Sequence, residues 1–326
     1  MRILILGGGG MVGRKLIERL AQDGQLGGRE ITAATLHDVI EPAIPAGAPF
    51  PIKSLTSDFS QPGEAEKIVA DRPDVIFHLA AIVSGEAEAD FDKGYRINLD
   101  GTRLLFDAIR RLEGYTPRVV FTSSIAVFGG PFPDAIGDEF FLTPQTSYGT
   151  QKAIGELLLA DYTRRGCFDG VGIRLPTICV RPGKPNKAAS GFFSNIIREP
   201  LNGEEAVLPV PEDVRHAHAT PRAAVNFLIR AATIDGKELG ARRILTMPSV
   251  SVTVAEQIDA LRRIAGDGVV ARIRREPDPT IMQIVANWPQ RFDAQRARSL
   301  GFEAEESFDE IIKVHIEDDR GGSFVK

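Results

Sequence analysis

Short apolar runs alternate with longer segments of helical periodicity through the first half of the chain. The runs, which are rich in β-branched residues, lie at 3–6, 30–36, 75–79, 119–122 and 170–175. Their nearly continuous apolar character is typical of strands that are buried on both faces. Between them, apolar residues three and four positions apart predict helices at 12–20, 64–70, 98–112 and 148–162. This repeated order predicts a doubly wound α/β fold with a parallel sheet.

The pattern changes near residue 180, where prolines and glycines interrupt the alternation at 181–185 and 208–211. Helical periodicity returns at 223–232, 254–264 and 308–314, so the second half is predicted to be structured. We expect a doubly wound domain over residues 1–175, which includes the helix at 148–162. A smaller mixed lobe is expected over 176–326, with some of its segments returning to the first domain.

Composition excludes several classes of function. The chain has 326 residues, and its net charge of −5 comes from acids and bases mixed along the sequence, which predicts no nucleic-acid or membrane-surface partner. Cys167 and Cys179 form no Cys-x-x-Cys pair, so neither a disulfide framework nor a zinc site is predicted and a cytoplasmic location is favoured. No apolar run approaches the ~18 residues of a membrane span.

A glycine-rich loop follows the first predicted strand and precedes a helix. Gly7 permits a tight turn, Gly10 lets the backbone approach a pyrophosphate, and Gly13 allows the helix to pack closely. Asp38, at the end of the next strand, is placed to accept hydrogen bonds from ribose hydroxyls and to repel a 2′-phosphate. These features predict NAD as the cofactor in preference to NADP. The alternative for Asp38 is a turn-forming residue, and the neighbouring His37 is expected to be a solvated loop residue.

The strongest chemical signal is Tyr148-Gly149-Thr150-Gln151-Lys152, preceded at a strand end by Ser124. Tyr148 and Lys152 are four residues apart and share one face of a helix. A nearby ammonium group favours the phenolate, so we expect Lys152 to bring the pKa of Tyr148 toward neutrality. With Ser124 holding a substrate oxygen and Tyr148 taking its proton, the pattern predicts alcohol oxidation by hydride transfer to a nicotinamide.

Together, these motifs resemble those of the extended short-chain dehydrogenases/reductases of the NAD-dependent epimerase/dehydratase family. The resemblance covers essentially the whole chain and implies a Rossmann domain. Further segments that carry the resemblance are Ser57-Asp58-Phe59, His78-Leu79-Ala80-Ala81, Asn98-Leu99-Asp100-Gly101-Thr102, Arg291-Phe292-Asp293 and Leu300-Gly301-Phe302. The resemblance implies that Asp58 contacts the adenine, that 79–81 lines the cofactor and that Asn98 supports the site through hydrogen bonds. The predicted cofactor contacts are Gly7, Gly10, Met11, Val12, Gly13, Asp38, Asp58, Leu79, Ala80, Ala81, Asn98, Tyr148, Lys152 and Pro176.

Two departures from the sugar-nucleotide epimerases bear on the substrate. Thr177 stands where an asparagine that holds the sugar diphosphate is typical, and Phe128 replaces a commoner tyrosine. The stretch 177–186, with 191–193 and 198–201, is similar to a subgroup that oxidises the C2 hydroxyl of a four-carbon sugar acid, D-erythronate, with NAD. Ser84, Thr177 and Arg181 are candidates by position to bind a substrate carboxylate, with Ser124 and Tyr148 at the reacting oxygen. By its sequence alone, Arg181 is equally a surface loop residue.

His216 and His218 are two residues apart and share one face if they lie on a strand. No third ligand has suitable spacing, so we predict no metal and interpret them as ordinary polar histidines. Family members pair the helices that match 98–112 and 148–162 here in a four-helix interface, which predicts a homodimer. Three functions remain open: the sugar-acid dehydrogenase, an NDP-sugar 4-epimerase with bound NAD, and a non-catalytic NAD-sensing protein.

Overall fold

The computed structural model describes residues 1–183 and 189–325. Its strands are β1 (Arg2–Leu6), β2 (Gln25–Leu26), β3 (Arg29–Glu30), β4 (Ala33–Asp38), β5 (Ile52–Thr56), β6 (Val75–His78), β7 (Arg118–Ser124), β8 (Ile136–Gly137), β9 (Asp169–Leu175), β10 (Thr177–Ile178), β11 (Ala206–Leu208), β12 (Arg215–Ala219), β13 (Ile244–Thr246), β14 (Val250–Thr253), β15 (Ile273–Arg275) and β16 (Phe292–Asp293).

The α-helices within the same ranges are α1 (Met11–Asp23), α2 (Glu64–Val69), α3 (Ser84–Ala89), α4 (Phe91–Gly94), α5 (Thr102–Arg111), α6 (Ser147–Arg164), α7 (Gly191–Asn202), α8 (Pro221–Thr233), α9 (Gly236–Leu239), α10 (Val254–Ala265), α11 (Asp267–Val270), α12 (Pro279–Val285), α13 (Gln295–Ser299) and α14 (Phe308–Arg320). A π-helical segment, Tyr95–Gly101, joins α4 to α5, and a 3-10 turn, Ile125–Val127, follows β7. Within the described ranges, no helix is both long enough and apolar enough to cross a membrane.

Seven parallel strands of the described chain form the central sheet, in the order β13-β9-β7-β6-β1-β4-β5. Helices α1 and α8 pack on one face, and α2, α5 and α6 pack on the other. The buried apolar strands bind these two layers together, since each strand contributes side chains to both faces. The predicted doubly wound α/β fold is therefore confirmed.

Three local predictions differ from the structure. The strand predicted at 30–36 lies further along, at Ala33–Asp38, because the chain first turns back in a two-residue pairing of β2 with β3. The helix predicted from residue 98 begins earlier and passes through the wider π-helical winding, which apolar spacing does not distinguish from an α-helix. Strands β5 and β13 were not predicted, since an edge strand and a three-residue strand leave weak signals.

The C-terminal half contains its own apolar cluster, which runs from Cys179 to Ile316 and includes helices α7, α10 and α14. A small sheet, in the order β10-β12-β14, connects this lobe to the end of β9. The strand β13 returns to the central sheet, where it pairs with β9. Lys184, Pro185 and Asn186, which belong to the stretch used for the sugar-acid resemblance, lie outside the described residues.

Candidate active site

The functional residues meet at the edge of the central sheet where its parallel strands end. β1 ends at Leu6, directly before the glycine loop, and β7 ends at Ser124. In the sheet register Ser124 lies opposite Leu175, the last residue of β9, so Thr177 follows at the same edge. Ligands of open α/β sheets bind outside these carboxyl ends, where the strand order reverses.

The glycine loop is packed closely against backbone at Gly7 and Gly13 but leaves space at Gly10. Gly7 has a φ of +89°, and a Cβ there would lie 2.8 Å from the Ala80 nitrogen. A Cβ on Gly13 would lie 2.2 Å from the Gly7 oxygen, so no larger residue fits at that position. A Cβ on Gly10 would meet only the Gly7 oxygen, at 3.3 Å, which leaves the N-terminus of α1 open to a pyrophosphate. The loop therefore fits the phosphates of NAD.

His37 is not a solvated loop residue, and that interpretation is wrong. It lies in β4, is 1% exposed, and its Nε2 is 2.9 Å from the Ser57 hydroxyl oxygen. Burial lowers the pKa of His37, although Asp38 acts in the opposite direction. The His37 carbonyl accepts from the amides of Gly7, at 2.8 Å, and Gly8, at 3.0 Å. It thereby fixes the start of the glycine loop.

Two of the predicted cofactor residues are carboxylates, Asp38 and Asp58. Asp38 accepts from the Gly9 amide at 2.9 Å, which joins the predicted ribose ligand to the glycine loop. Asp58 accepts from the Ser60 hydroxyl at 2.5 Å and from Arg96 at 2.5 Å. Partial burial of Asp58 favours its neutral form, but the hydrogen bonds from Ser60 and Arg96 outweigh this and hold its pKa at about 2.

The segment after β6 is tied to the π-helix through Asn98. This buried side chain accepts from the Ile82 amide at 2.9 Å and donates to the Ile82 carbonyl at 3.2 Å. It also donates to Gln151 Oε1 at 2.8 Å. Residues 79–81 run between this anchor and the glycine loop. Gln151 was not predicted as a site residue; the available signal is its polar side chain on the buried side of the tyrosine helix.

Three further predicted cofactor residues lie beside these elements. Met11 and Val12 begin α1 and are half-buried. Pro176 is buried directly after β9. The glycine loop, residues 79–81 and Pro176 thus all lie at the strand ends.

Helix α6 presents Tyr148 and Lys152 to the strand end that carries Ser124. The helix begins after Thr146, whose side chain accepts from the Gly149 amide at 3.0 Å. The Ser124 hydroxyl is close enough to Tyr148 to lower the pKa of its phenol. The Lys152 Nζ lies 5.8 Å from the centroid of the Tyr148 ring and donates to the Thr122 carbonyl at 2.8 Å. The structure therefore brings the three predicted catalytic side chains together.

The pKa of Tyr148 does not follow the sequence-based expectation. Burial raises it to about 12, although the Ser124 hydroxyl and the charge of Arg181 act in the opposite direction. Burial also lowers the pKa of Lys152 to about 8. The prediction that Lys152 brings the phenol toward neutrality is wrong for the protein's own groups, because desolvation of the phenolate outweighs the opposing effects of Ser124 and Arg181.

A buried ion pair that the sequence analysis missed supports this arrangement. Glu156, one turn beyond Lys152, binds Arg174 at the end of β9 through two hydrogen bonds, of 2.9 and 2.8 Å. Ser123, next to Ser124, donates to Glu156 at 2.5 Å. The pair thus fixes α6 against both strands that border the site. Its sequence signal is an acid and an arginine on segments that are otherwise buried.

The substrate candidates occupy different surroundings. Thr177 is buried, and its Oγ1 lies 2.7 Å from His216 Nε2. Arg181 is half-buried, donates to the Ser190 hydroxyl at 2.9 Å and influences the pKa of Tyr148, so it belongs to the site and not to the outer surface. Ser84 begins α3, which packs against α6. Among the described residues, no side-chain hydrogen bond joins Ser84 to the catalytic side chains.

His216 and His218 lie on β12 and share one face, as both rings contact Phe193. Both are buried, and burial lowers the pKa of His216 to about 3 and that of His218 well below its ordinary value. Over residues 1–183 and 189–325, no group of three or more His, Cys, Asp or Glu side chains is arranged to hold a metal ion.

An open glycine loop at one end of the cleft and a serine, tyrosine and lysine at the other define an NAD-dependent dehydrogenase. Comparison with known families agrees. Residues 3–218 match the family described as "NAD dependent epimerase/dehydratase family", and the chain belongs to it.

Three relatives that cover nearly the whole chain carry two kinds of name. A protein of Cupriavidus necator named "D-erythronate dehydrogenase" is 47% identical over 98% of both chains. A protein of the same name from Haemophilus influenzae is 40% identical over 98% of this chain and 100% of its own length. A crystal structure described as a nucleoside-diphosphate-sugar epimerase from Agrobacterium tumefaciens is 66% identical, with a TM-score of 0.97 over 99% of this chain and 95% of that one.

Proposed function

We propose that this protein oxidises the C2 hydroxyl of a small sugar acid, converting D-erythronate to 2-oxo-erythronate with NAD. The observation that carries the proposal is the convergence of Ser124, Tyr148 and Lys152 where β7 ends, with Ser124 close enough to Tyr148 to lower its pKa and the Lys152 Nζ 5.8 Å from the Tyr148 ring centroid. Two relatives named D-erythronate dehydrogenase, which align over nearly the full chain, support the choice of substrate.

In the proposed mechanism, Ser124 holds the C2 hydroxyl of the substrate and Tyr148 takes its proton as the C2 hydrogen leaves as hydride. The oxidised nicotinamide of bound NAD would supply the hydride acceptor and a positive charge that favours the phenolate. Lys152 contributes a second cation and orients the nicotinamide ribose. Tyr148 then releases its proton to solvent, so each turnover yields one 2-oxo acid, one NADH and one proton.

The remaining predicted residues are assigned to binding. Gly7, Gly10 and Gly13, with Met11 and Val12, would hold the pyrophosphate at the N-terminus of α1. Asp38 would bind the adenosine ribose and Asp58 the adenine, while residues 79–81, Asn98 and Pro176 would line the nicotinamide half. Ser84, Thr177 and Arg181 would contact the carboxylate and hydroxyls of the acid.

The proposal is tested by following NADH formation while four-carbon and five-carbon aldonic acids are supplied one at a time. We expect D-erythronate to reduce NAD with the highest kcat/KM and NADP to be a poor acceptor, because Asp38 repels its 2′-phosphate. Failure of every aldonic acid to reduce NAD would overturn the proposal. Binding of NAD without turnover of any acid or sugar would support an NAD-sensing protein instead.

An NDP-sugar 4-epimerase is the second candidate, and the name of the 66% identical crystal structure favours it. An epimerase oxidises its substrate transiently and then returns the hydride, so NAD shows no net change. The same assay, with UDP-sugars in place of acids, separates the two functions. Product formation without NADH accumulation would identify the epimerase, whereas stoichiometric NADH identifies the dehydrogenase.

We further propose a cytoplasmic homodimer in which residues 1–175 bind NAD and most of 176–326 encloses the substrate. Leu157 on α6 is 65% exposed and Phe91 on α4 is 58% exposed, which supports a partner surface along these helices. The separate apolar cluster of the lobe supports the domain division. Sedimentation at micromolar concentration should give the mass of a dimer, and a monomer would contradict the proposed assembly.

A further inference from the structure

His216 is a buried titratable residue for which the proposed mechanism has no role. It is 3% exposed, and its ring contacts Phe193, nearly parallel at 5.1 Å, and Trp288, tilted by 42° at 5.1 Å. Its Nε2 is 2.7 Å from the Thr177 hydroxyl oxygen. Because two aromatic rings pack against it and its Nε2 is bonded to Thr177, we expect His216 to hold one orientation toward Thr177.

The protonation of this ring decides which partner donates. Burial keeps the pKa of His216 at about 3, so the imidazole is neutral and carries a single N–H. The Pro289 carbonyl, which can only accept, favours a proton on the side of the ring that it faces. Since Nε2 lies against the Thr177 hydroxyl, Nδ1 is the nitrogen left for this carbonyl, although no hydrogen bond forms there. With the proton on Nδ1, Nε2 accepts and the Thr177 hydroxyl donates to it.

This direction changes what Thr177 offers to a substrate. A threonine hydroxyl has one proton and two lone pairs, and here the proton is directed to His216. What remains is an acceptor at the sheet edge, two residues beyond the position opposite Ser124. A carboxylate, which only accepts, gains nothing from such a group, whereas a substrate hydroxyl can donate to it.

We propose that His216 is a specificity-determining residue that turns Thr177 into a hydrogen-bond acceptor for a substrate hydroxyl beyond the oxidised carbon. The site then selects polyhydroxy acids over simple 2-hydroxy acids of the same length. Arg181 and Ser84 are left as the candidates for the carboxylate. This inference rests on the proposed function and narrows the part that Thr177 has in it.

His218 provides a matched control on the same strand. It is fully buried and contacts Phe193, as His216 does, but its Nε2 lies 3.0 Å from Gln257 Nε2 on α10. Gln257 is itself fully buried, so this second histidine is bonded into the core of the lobe. Replacing either histidine by phenylalanine keeps an aromatic ring and removes the ring nitrogens, but only His216→Phe removes a hydrogen bond from the Thr177 side chain.

The experiment compares kcat/KM for D-erythronate with that for 2-hydroxybutyrate, which keeps the reacting carbon and the carboxylate but lacks the other hydroxyls. In the wild type we expect a preference for D-erythronate, because an acceptor left without a donor is costly. His216→Phe and Thr177→Val should each reduce this ratio at least about tenfold, and the double variant no further. Thr177→Ser and His218→Phe should retain it. NAD affinity and thermal unfolding show whether each variant is folded.

Two results would overturn the inference while leaving the proposed function intact. One is an unchanged ratio in both His216→Phe and Thr177→Val. The other is an equal loss with both acids, which would mean that Thr177 donates to the carboxylate. If the wild type reduced NAD with neither acid nor with any other aldonic acid, the proposed function would fall, and this inference with it.

Discussion

The two ends of the active site are built from different parts of the polypeptide. At the cofactor end the contacts between segments are largely main-chain: the His37 carbonyl binds the amides of Gly7 and Gly8, and Gly13 is pressed against the Gly7 oxygen. At the substrate end they are buried side chains, as in the bond between Thr177 and His216 and the ion pair of Glu156 with Arg174.

This difference explains how the two ends respond to sequence change. A main-chain site tolerates substitution except where a glycine supplies space or a positive φ, so it leaves a short motif in the sequence. A side-chain site depends on pairs that are distant in sequence, and each pair must stay complete because a buried polar group without its partner is costly. We therefore expect substitutions to be tolerated more widely at the cofactor end, outside its glycines, than at the substrate end.

The largest effect is expected at Tyr148, where the two ends meet. Tyr148→Phe keeps the ring but removes the phenol that takes the substrate proton, so kcat should fall on the order of 10³-fold. NAD affinity, measured by calorimetric titration, should change less than about twofold, since the cofactor contacts proposed here are otherwise intact. Full turnover by this variant would remove the proposed general base.

The same contrast decides what the sequence reveals in advance. The parallel sheet and the glycine loop were predictable from periodicity and from residues close in sequence, and the grouping of Ser124 with Tyr148 and Lys152 from the order of these motifs along the chain. Glu156 and Ser123 are 33 residues apart, and no periodicity identifies one as the partner of the other. Burial raises the pKa of Tyr148 and removes His37 from solvent. It depends on how the layers pack together, so it could not be predicted from the sequence either.

The second effect tests whether buried side chains hold the catalytic helix. Glu156→Gln keeps the shape of the side chain but leaves Arg174 without its counter-charge, which should lower the free energy of unfolding by about 3 kcal/mol. Asp161→Asn is a matched control on the same helix, because the pair of Asp161 with Arg164 is exposed and is worth less than about 0.5 kcal/mol. Urea unfolding measures both. Equal losses would show that the buried pair has no special role.

The third effect tests the main-chain end. Gly10 has a φ of −72° and a ψ of 163°, which alanine adopts without strain, so Gly10→Ala should unfold at nearly the same temperature as the wild type. Its methyl group would enter the space left for the pyrophosphate. We expect the Kd for NAD to rise about 30-fold, equivalent to about 2 kcal/mol. If affinity is unchanged, the cofactor phosphates lie elsewhere.

The smallest expected effect is a loss of folding stability at low pH, caused by two buried histidines at the substrate end. His216 and His218 are buried and neutral, with pKa values held below 6.5 by burial, so between about pH 3 and 6.5 the unfolded chain binds more protons than the folded one. Stability is therefore complete above about pH 6.5 and is lost as the pH falls. Each histidine should cost about 1.4 kcal/mol one pH unit below 6.5. Urea unfolding at neutral pH and at about pH 5.5 measures this loss of stability. The loss should be smaller by about that amount in His218→Phe than in the wild type. An identical loss would mean that His218 is protonated in the folded protein.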